Sequence, residues 1–480
     1  MKNNEITNKK RTLIFINIII TCIASSMLST ALTTALPSMI QDFNISVTTG
    51  QWLTSGYSLA MGIMMPLTAF LINRFPTRKL YLTAIIGFIA GLVLSVIAPN
   101  FPILMCGRVL QACGNGILTS MAQVIILTIY PDEKKGTAMG WYGLSVGAAP
   151  VIAPTLAGLL VDSLGWQMIF YIAIAIMIIS LVFAICVFDN VLENFQKKFD
   201  VLSFFVSAFA FGGITLGIGN LGAYPFVSVQ VLFLLAIGIV AAVIFVYRQL
   251  HLEEPFLEIR ILANKEYALS VIGSMLLYLV MMGSSIILPL YVQSIMGYSA
   301  TISGLVALPG SLVMAIVSPF AGKIYDKLGM KVLFLAGALC MLLSNIAMAF
   351  INMQTPIWFA AAFNVIRCVS IGCLLMPLIT WGTKEISSTS TAHATALLTS
   401  LRTISGAIGS AMFVAIMTAV ANNSSVSHES NAQIHGLNVT FLAMSLVSAI
   451  LLLIAVFGVK QSKKNSPENE TDEKALHVSM

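Results

Sequence analysis

Gly322-Lys-Ile-Tyr-Asp326-Lys327-Leu-Gly329-Met-Lys331 follows one long apolar run, and Ala69-Phe-Leu-Ile-Asn73-Arg74-Phe-Pro76-Thr-Arg78-Lys79 follows another. The two stretches share a spacing: a small residue, a polar one four places on, a turn former three places after that, then a base. The later copy has Gly322, Asp326, Gly329 and Lys331 at those places; the earlier has Ala69, Asn73, Pro76 and Arg78. Each copy follows the second apolar run of a block of six. That placement predicts a duplicated body.

Working outward, runs long enough to cross a hydrocarbon core of about 30 Å, which takes around 20 apolar residues, are expected near 13–36, 50–72, 80–98, 102–129, 136–161, 167–188, 201–219, 226–247, 267–295, 300–322, 331–351, 355–381, 394–421 and 438–459. Apolar residues make up 58% of the chain and charged residues 9%, against about 25% charged in an ordinary soluble domain. The expected class is an all-α membrane protein of fourteen transmembrane helices. Of the 25 Lys and Arg, three (Arg108, Arg367, Arg402) lie inside apolar runs. The others fall in the termini and in alternate connections, as at Arg74, Arg78 and Lys79, at Lys134 and Lys135, or at Lys323, Lys327 and Lys331. Basic residues are retained in the cytoplasm during insertion, so both termini are expected inside. The expected division is a six-helix half at 1–190, a linker with an inserted two-helix hairpin at 191–262, a second six-helix half at 263–460, and a disordered tail at 461–480. The net charge of +6 follows from this bias and implies no nucleic-acid partner. The seven cysteines fall in the apolar runs without CxxC spacing, so neither a metal site nor a disulfide framework is expected.

Three further stretches carry a resemblance. The fourth run opens Gly107-Arg108-Val-Leu-Gln111-Ala-Cys-Gly114-Asn115-Gly116, the fifth contains Gly143-Leu-Ser-Val-Gly147-Ala-Ala-Pro150-Val-Ile-Ala-Pro154-Thr-Leu-Ala-Gly158, and the second begins Gln51-Trp52 and continues to Tyr57. With the repeated loop, in this order, the chain resembles the major facilitator superfamily, specifically its fourteen-helix drug:proton antiporters. The resemblance implies a major facilitator fold, alternating access between two halves, a proton gradient as energy source, no cofactor, and small-molecule substrates in the plasma membrane. A monomer is expected. Departures accompany it. Many drug-cation exporters of the family carry an acidic residue in the first helix, where this chain has Met27-Leu28-Ser29-Thr30, and no carboxylate lies in the middle of any run.

An intramembrane charge is expensive and is functional by default. Arg108 is therefore a candidate for coupling or substrate contact, or else a hydrogen-bond hub bridging helix ends. Arg367 occupies the corresponding place in the second half. Arg402, near the inner part of the thirteenth run, is expected to snorkel to the interface. Gln111, Asn115, Gln123 and Asn364, polar where burial is costly, join Trp52 and Tyr57 as cavity candidates. Pro150 and Pro154 remove backbone donors and bend their helix, and Gly143, Gly147 and Gly158 admit a close neighbour. Together they are a candidate gate, or ordinary Gly/Pro enrichment of membrane helices. Asp326, with Gly322, Lys327 and Gly329, is a candidate latch that accepts hydrogen bonds from a neighbouring helix N-terminus. Asn73, Arg74 and Arg78 form its weaker counterpart, or both loops simply anchor topology. The candidate proton sites are Asp162, at the outer end of the fifth run, and His393, just before the thirteenth, which reads equally as a helix cap.

No GxxxxGK[ST] stretch and no catalytic constellation occurs, so neither ATP hydrolysis nor enzymatic activity is expected. The expected function is proton-coupled export of hydrophobic or amphipathic drugs. Two alternatives stand beside it: export of an anionic metabolite or signalling nucleotide, because arginines without carboxylates favour anions, and a non-transporting receptor or scaffold on a transporter fold.

Overall fold

The computed structural model describes residues 7–45, 47–192, 200–220, 224, 227–253, 255, 257–298, 300–387, 390–422 and 429–459. These residues form fourteen long helices and no strand: α1 (Asn8–Asp42), α2 (Val47–Arg74), α3 (Thr77–Val96), α4 (Phe101–Ile129), α5 (Asp132–Leu164), α6 (Gln167–Val187), α7 (Val201–Gly219), α8 (Val229–His251), α9 (Lys265–Leu290), α10 (Ala300–Leu328), α11 (Met330–Met348), α12 (Ile357–Thr383), α13 (Thr391–Asn422) and α14 (Glu429–Leu453). Among the described residues, twelve helices are long and apolar enough to cross a membrane, and α2 and α5 are the two long helices outside that set. Several runs are longer than the apolar pattern alone suggested, because each helix continues past the hydrocarbon into polar ends such as Asn8-Lys9-Lys10 of α1 and Asp132-Glu133-Lys134 of α5.

Side-chain caps set several starts. Asn100 accepts from the Ile103 amide at 3.1 Å ahead of α4, Asp200 from Ser203 at 3.1 Å ahead of α7, and Asn264 from Tyr267 at 3.0 Å ahead of α9. Each satisfies an orphan amide of a first turn. The two loop copies turn differently. Gly329 sits at φ +75° between α10 and α11, a conformation that favours glycine. Pro76 connects α2 to α3 at φ −53° instead, so the earlier copy needs no glycine.

Helices α1–α6 pack among themselves, and so do α9–α14. The two groups meet where α5 lies along α10 and α12, and α13 along α2 and α4. Exchanging α1–α6 for α9–α14 in order turns the α5–α10 contact into α13–α2, as a duplicated body requires. Helices α7 and α8 pair with each other, and α7 rests against α2 and α13.

One end of the bundle gathers the basic connections. There Lys10 pairs with Asp189, the Arg78 guanidinium donates to the Ile185 carbonyl at 2.7 Å, and Arg248 pairs with Asp200 at 3.0 Å. At the opposite end Trp166 donates through Nε1 to Asp42 at 2.6 Å, tying α1 to α6.

Candidate functional site

Helix α4 carries the first cluster. Arg108 is 1% exposed. Its Nε donates to the Leu53 carbonyl at 3.2 Å, an Nη donates to Gln111 Oε1 at 2.7 Å, and its guanidinium lies 4.1 Å from the centre of the Tyr57 ring. Gln111 passes the connection on, donating to the Gly91 carbonyl at 3.0 Å and to Ser95 Oγ at 2.8 Å. Asn115 donates to the Tyr57 hydroxyl at 2.7 Å. The geometry is therefore a hub joining α2, α3 and α4, with the charge held by neutral acceptors and an aromatic face. Trp52 does not join it: at 43% exposure it stands on the outside of α2.

A second cluster lies where the two helix groups meet. The Thr399 hydroxyl on α13 donates to Gln123 Oε1 on α4 at 3.5 Å. The Tyr142 hydroxyl on α5 lies beside Gln123 and Cys22, with Arg402 within electrostatic range. Arg402, expected at the interface, is instead 5% exposed with its guanidinium 4.9 Å from the centre of the Tyr278 ring on α9. It begins about 16 Å along α13 from Thr391, at 1.5 Å rise per residue. Its burial against Tyr278 places it inside the bundle rather than at an exposed interface. The Gln123 Nε2, Tyr142 hydroxyl, Arg402 Nε and one Arg402 Nη have no hydrogen-bond partner among the described residues. Arg367 on α12 donates to Asn364 Oδ1, and its Nη1 is likewise without a hydrogen-bond partner among the described residues.

The third feature spans the two groups at the basic end. Asp326, at the end of α10, accepts from the Gly136 and Thr137 amides at 2.8 Å each and from the Thr137 hydroxyl at 2.5 Å, all in the first part of α5. Gly136 and Gly322 make this approach possible. A Cβ on residue 136 would stand 2.7 Å from the Gly322 carbonyl oxygen and 2.5 Å from the Asp326 carboxylate. Further along the same crossing, a Cβ on residue 143 would stand 2.7 Å from Met376 of α12. On the opposite flank, Asn73 at the end of α2 meets His393 Nε2 near the start of α13 at 2.9 Å, and the Glu258 amide donates to His393 Nδ1 at 3.4 Å. Both loop copies thus reach across to the other helix group. Arg74 and Lys327 are exposed, while Arg78 bonds within α1–α6. The side chains of Gly147, Pro150, Pro154, Gly158 and Asp162 lie outside the described residues.

The structure therefore brings Arg108, Gln111, Asn115 and Tyr57 together, and ties Gln123 to Thr399 of α13 rather than to Arg108. Gly136, Thr137, Tyr142, Tyr278 and Thr399 were not legible as site residues. Nothing in their types distinguishes them from ordinary helix positions until the neighbouring helices are placed. A cavity of about 330 Å³ between α1, α5 and α6 is lined by Met27, Leu28, Leu160, Ile169 and Ile176 among other apolar residues, and its described lining includes none of the candidate polar residues.

Fold and motif geometry define a membrane transport protein, not an enzyme, and the chain belongs to the Major Facilitator Superfamily, whose family model matches residues 14–410. Among named relatives it is similar to the lincomycin resistance protein LmrB of Bacillus subtilis (strain 168), 33% identical over 90% of this chain and 92% of that protein. The multidrug export protein EmrB of Haemophilus influenzae is 25% identical over 80% of this chain and 76% of that protein. The proton:xylose symporter XylE superposes with a TM-score of 0.66 at 14% identity, covering 95% of this chain and 97% of that one; this likeness concerns the fold.

Proposed function

We propose that this chain is a proton-driven exporter of hydrophobic or amphipathic drugs that works by alternating access in the cell membrane. In this reading all fourteen helices span the bilayer, with α2 and α5 among them because they sit inside the bundle. Residues 1–190 and 263–460 are the two rocking halves, α7–α8 is a hairpin inserted between them, and both termini are cytoplasmic. The protein acts as a monomer, uses no cofactor and draws on the proton gradient.

The observation that carries the reading is the pair of contacts across the basic end, Asp326 to Gly136 and Thr137, and Asn73 to His393. Related by the internal repeat, they hold together the ends of two helix groups that alternating access must separate. Gly143, Gly147, Pro150, Pro154 and Gly158 on α5 serve as the gate that closes along α10 and α12. Similarity to lincomycin and multidrug resistance proteins supports drugs as the substrate class.

The test is uptake into everted vesicles from an exporter-deficient bacterial host, with lincomycin and a panel of dyes. Accumulation above the passive level, abolished by a proton uncoupler, is expected. Accumulation that follows ATP supply after the proton gradient has collapsed, or none for any compound, would overturn the proposal.

A further inference from the structure

We propose that Arg402, Gln123 and Tyr142 form a subsite, deep inside the bundle, for an anionic or acceptor-rich group. The inference rests on the exporter reading above and names the chemistry of its substrate.

Three observations lead to it. First, the site is built from both halves: Gln123 and Tyr142 come from α4 and α5, and Arg402 from α13. Second, Nε and one Nη of Arg402 are donors without a hydrogen-bond partner among the described residues, while Gln123 Nε2 and the Tyr142 hydroxyl face each other beside Cys22 outside hydrogen-bond geometry. Gln123 Oε1, the amide's own acceptor, already takes the Thr399 hydroxyl. Third, Arg402 stacks on Tyr278 and makes no ion pair with any described carboxylate. A guanidinium at that depth is costly without an acceptor, and buried polar groups are as a rule hydrogen-bonded. Arg108, equally buried, differs in kind: Leu53 and Gln111 supply its acceptors.

A guanidinium without an acceptor selects its partner. A carboxylate, sulfonate or phosphate matches the planar fork of arginine, and the Tyr278 ring beside it offers a face for an aromatic body. An ammonium would bring donors and like charge to donors. A halide ion has the same chemistry without the apolar body, so an inorganic anion is the second source for one and the same site.

The experiment compares two near-isosteric xanthene dyes, anionic fluorescein and cationic rhodamine 123. Binding to the purified full-length chain in detergent is read by fluorescence polarisation against empty micelles. Fluorescein is expected to bind at least tenfold more tightly, a difference of about 1.4 kcal/mol. Arg402→Gln should remove that preference, Arg402→Lys should keep part of it, and Tyr142→Phe, which deletes one hydroxyl without changing shape, should weaken fluorescein alone. Titrating chloride, with rhodamine 123 binding as the ionic-strength control, separates the sources. Arg402-dependent competition by millimolar chloride assigns the site to inorganic anions, and its absence assigns it to the organic solute; both support the subsite. Equal binding of the two dyes, stronger rhodamine binding, no fluorescein binding, or an unchanged preference in both Arg402→Gln and Tyr142→Phe overturns it. Because no gradient is involved, selective binding without uncoupler-sensitive export would defeat the exporter reading alone, and export with charge-indifferent binding would defeat this one alone.

Discussion

Two buried arginines of one chain have opposite surroundings, and the difference decides what each substitution should do. Arg108 bridges Leu53, Gln111 and Tyr57. Its loss strands the Gln111 acceptor and the Leu53 carbonyl among apolar neighbours. A hydrogen bond to a charged group contributes about 1.5–3 kcal/mol. Arg108→Ala is therefore expected to lower the thermal midpoint of the purified protein as well as its export, and Arg108→Lys to rescue little, since lysine keeps the charge but not the fork. Thermal unfolding in detergent reads this directly; an unchanged midpoint with lost export would make Arg108 a coupling residue only. Asp326 offers a second residue-level test. Its carboxylate takes two amides and a hydroxyl, whereas Asn keeps one acceptor oxygen and no charge. Charge-assisted bonds are roughly twice as strong as neutral ones, so Asp326→Asn should shift the closed-to-open balance at the basic end by about tenfold, or about 1.4 kcal/mol. A cysteine at the buried Ala321 should then react faster with a membrane-impermeant maleimide; no change in rate argues against a latch.

Among the elements, the α5–α10 crossing is where backbone approaches backbone. Gly322→Leu should hold the two helices apart, because any Cβ there meets the Gly136 carbonyl and the first part of α5. The expected result is a protein that binds ligand but no longer shields the Ala321 position, seen as fast maleimide labelling and a lost proton-driven gradient. The hairpin has its own lock. Burial alone raises the Asp200 carboxyl, but bonds from Ser203 and the Arg248 guanidinium outweigh it and hold the group below the usual carboxylate range. A depressed folded-state pKa means the contribution is present above the unfolded value of about 3.9 and is lost as pH falls through the lower folded value. Hydrogen exchange at the start of α7 should therefore be slower in the wild type than in Asp200→Asn at pH 7, the difference disappearing below that range. Equal exchange at pH 7 would remove the lock. These elements also show what a linear sequence reveals. Apolar run length marked the long helices, and the repeated loop marked the ends of α2 and α10, because both are local patterns. Gly136 and Thr137 stayed hidden because their role is to face Asp326, far away in sequence. The burial of Arg402 stayed hidden for the same reason, since the ring it packs on, Tyr278, lies on α9.

Across the whole molecule, the two cross-half contacts lie at one end but on different helix pairs, α5–α10 and α2–α13. If the halves rock as rigid bodies, both contacts break in one step and bias a single equilibrium. Weakening either one then exposes both flanks. If each flank opens by itself, weakening one leaves the other shielded. A reporter cysteine at Thr395 on α13, fully buried, separates the two, provided it is placed in a chain otherwise free of cysteine. Asp326→Asn, on the α5–α10 flank, is expected to accelerate labelling at position 395 by about the same factor as at position 321. Adding Asn73→Ala should multiply that factor, because energies at separate sites add to within about 0.5 kcal/mol when they act on one equilibrium. Labelling at 395 that ignores Asp326→Asn would mean that the flanks open separately, and the rigid-body description of the halves would have to be given up.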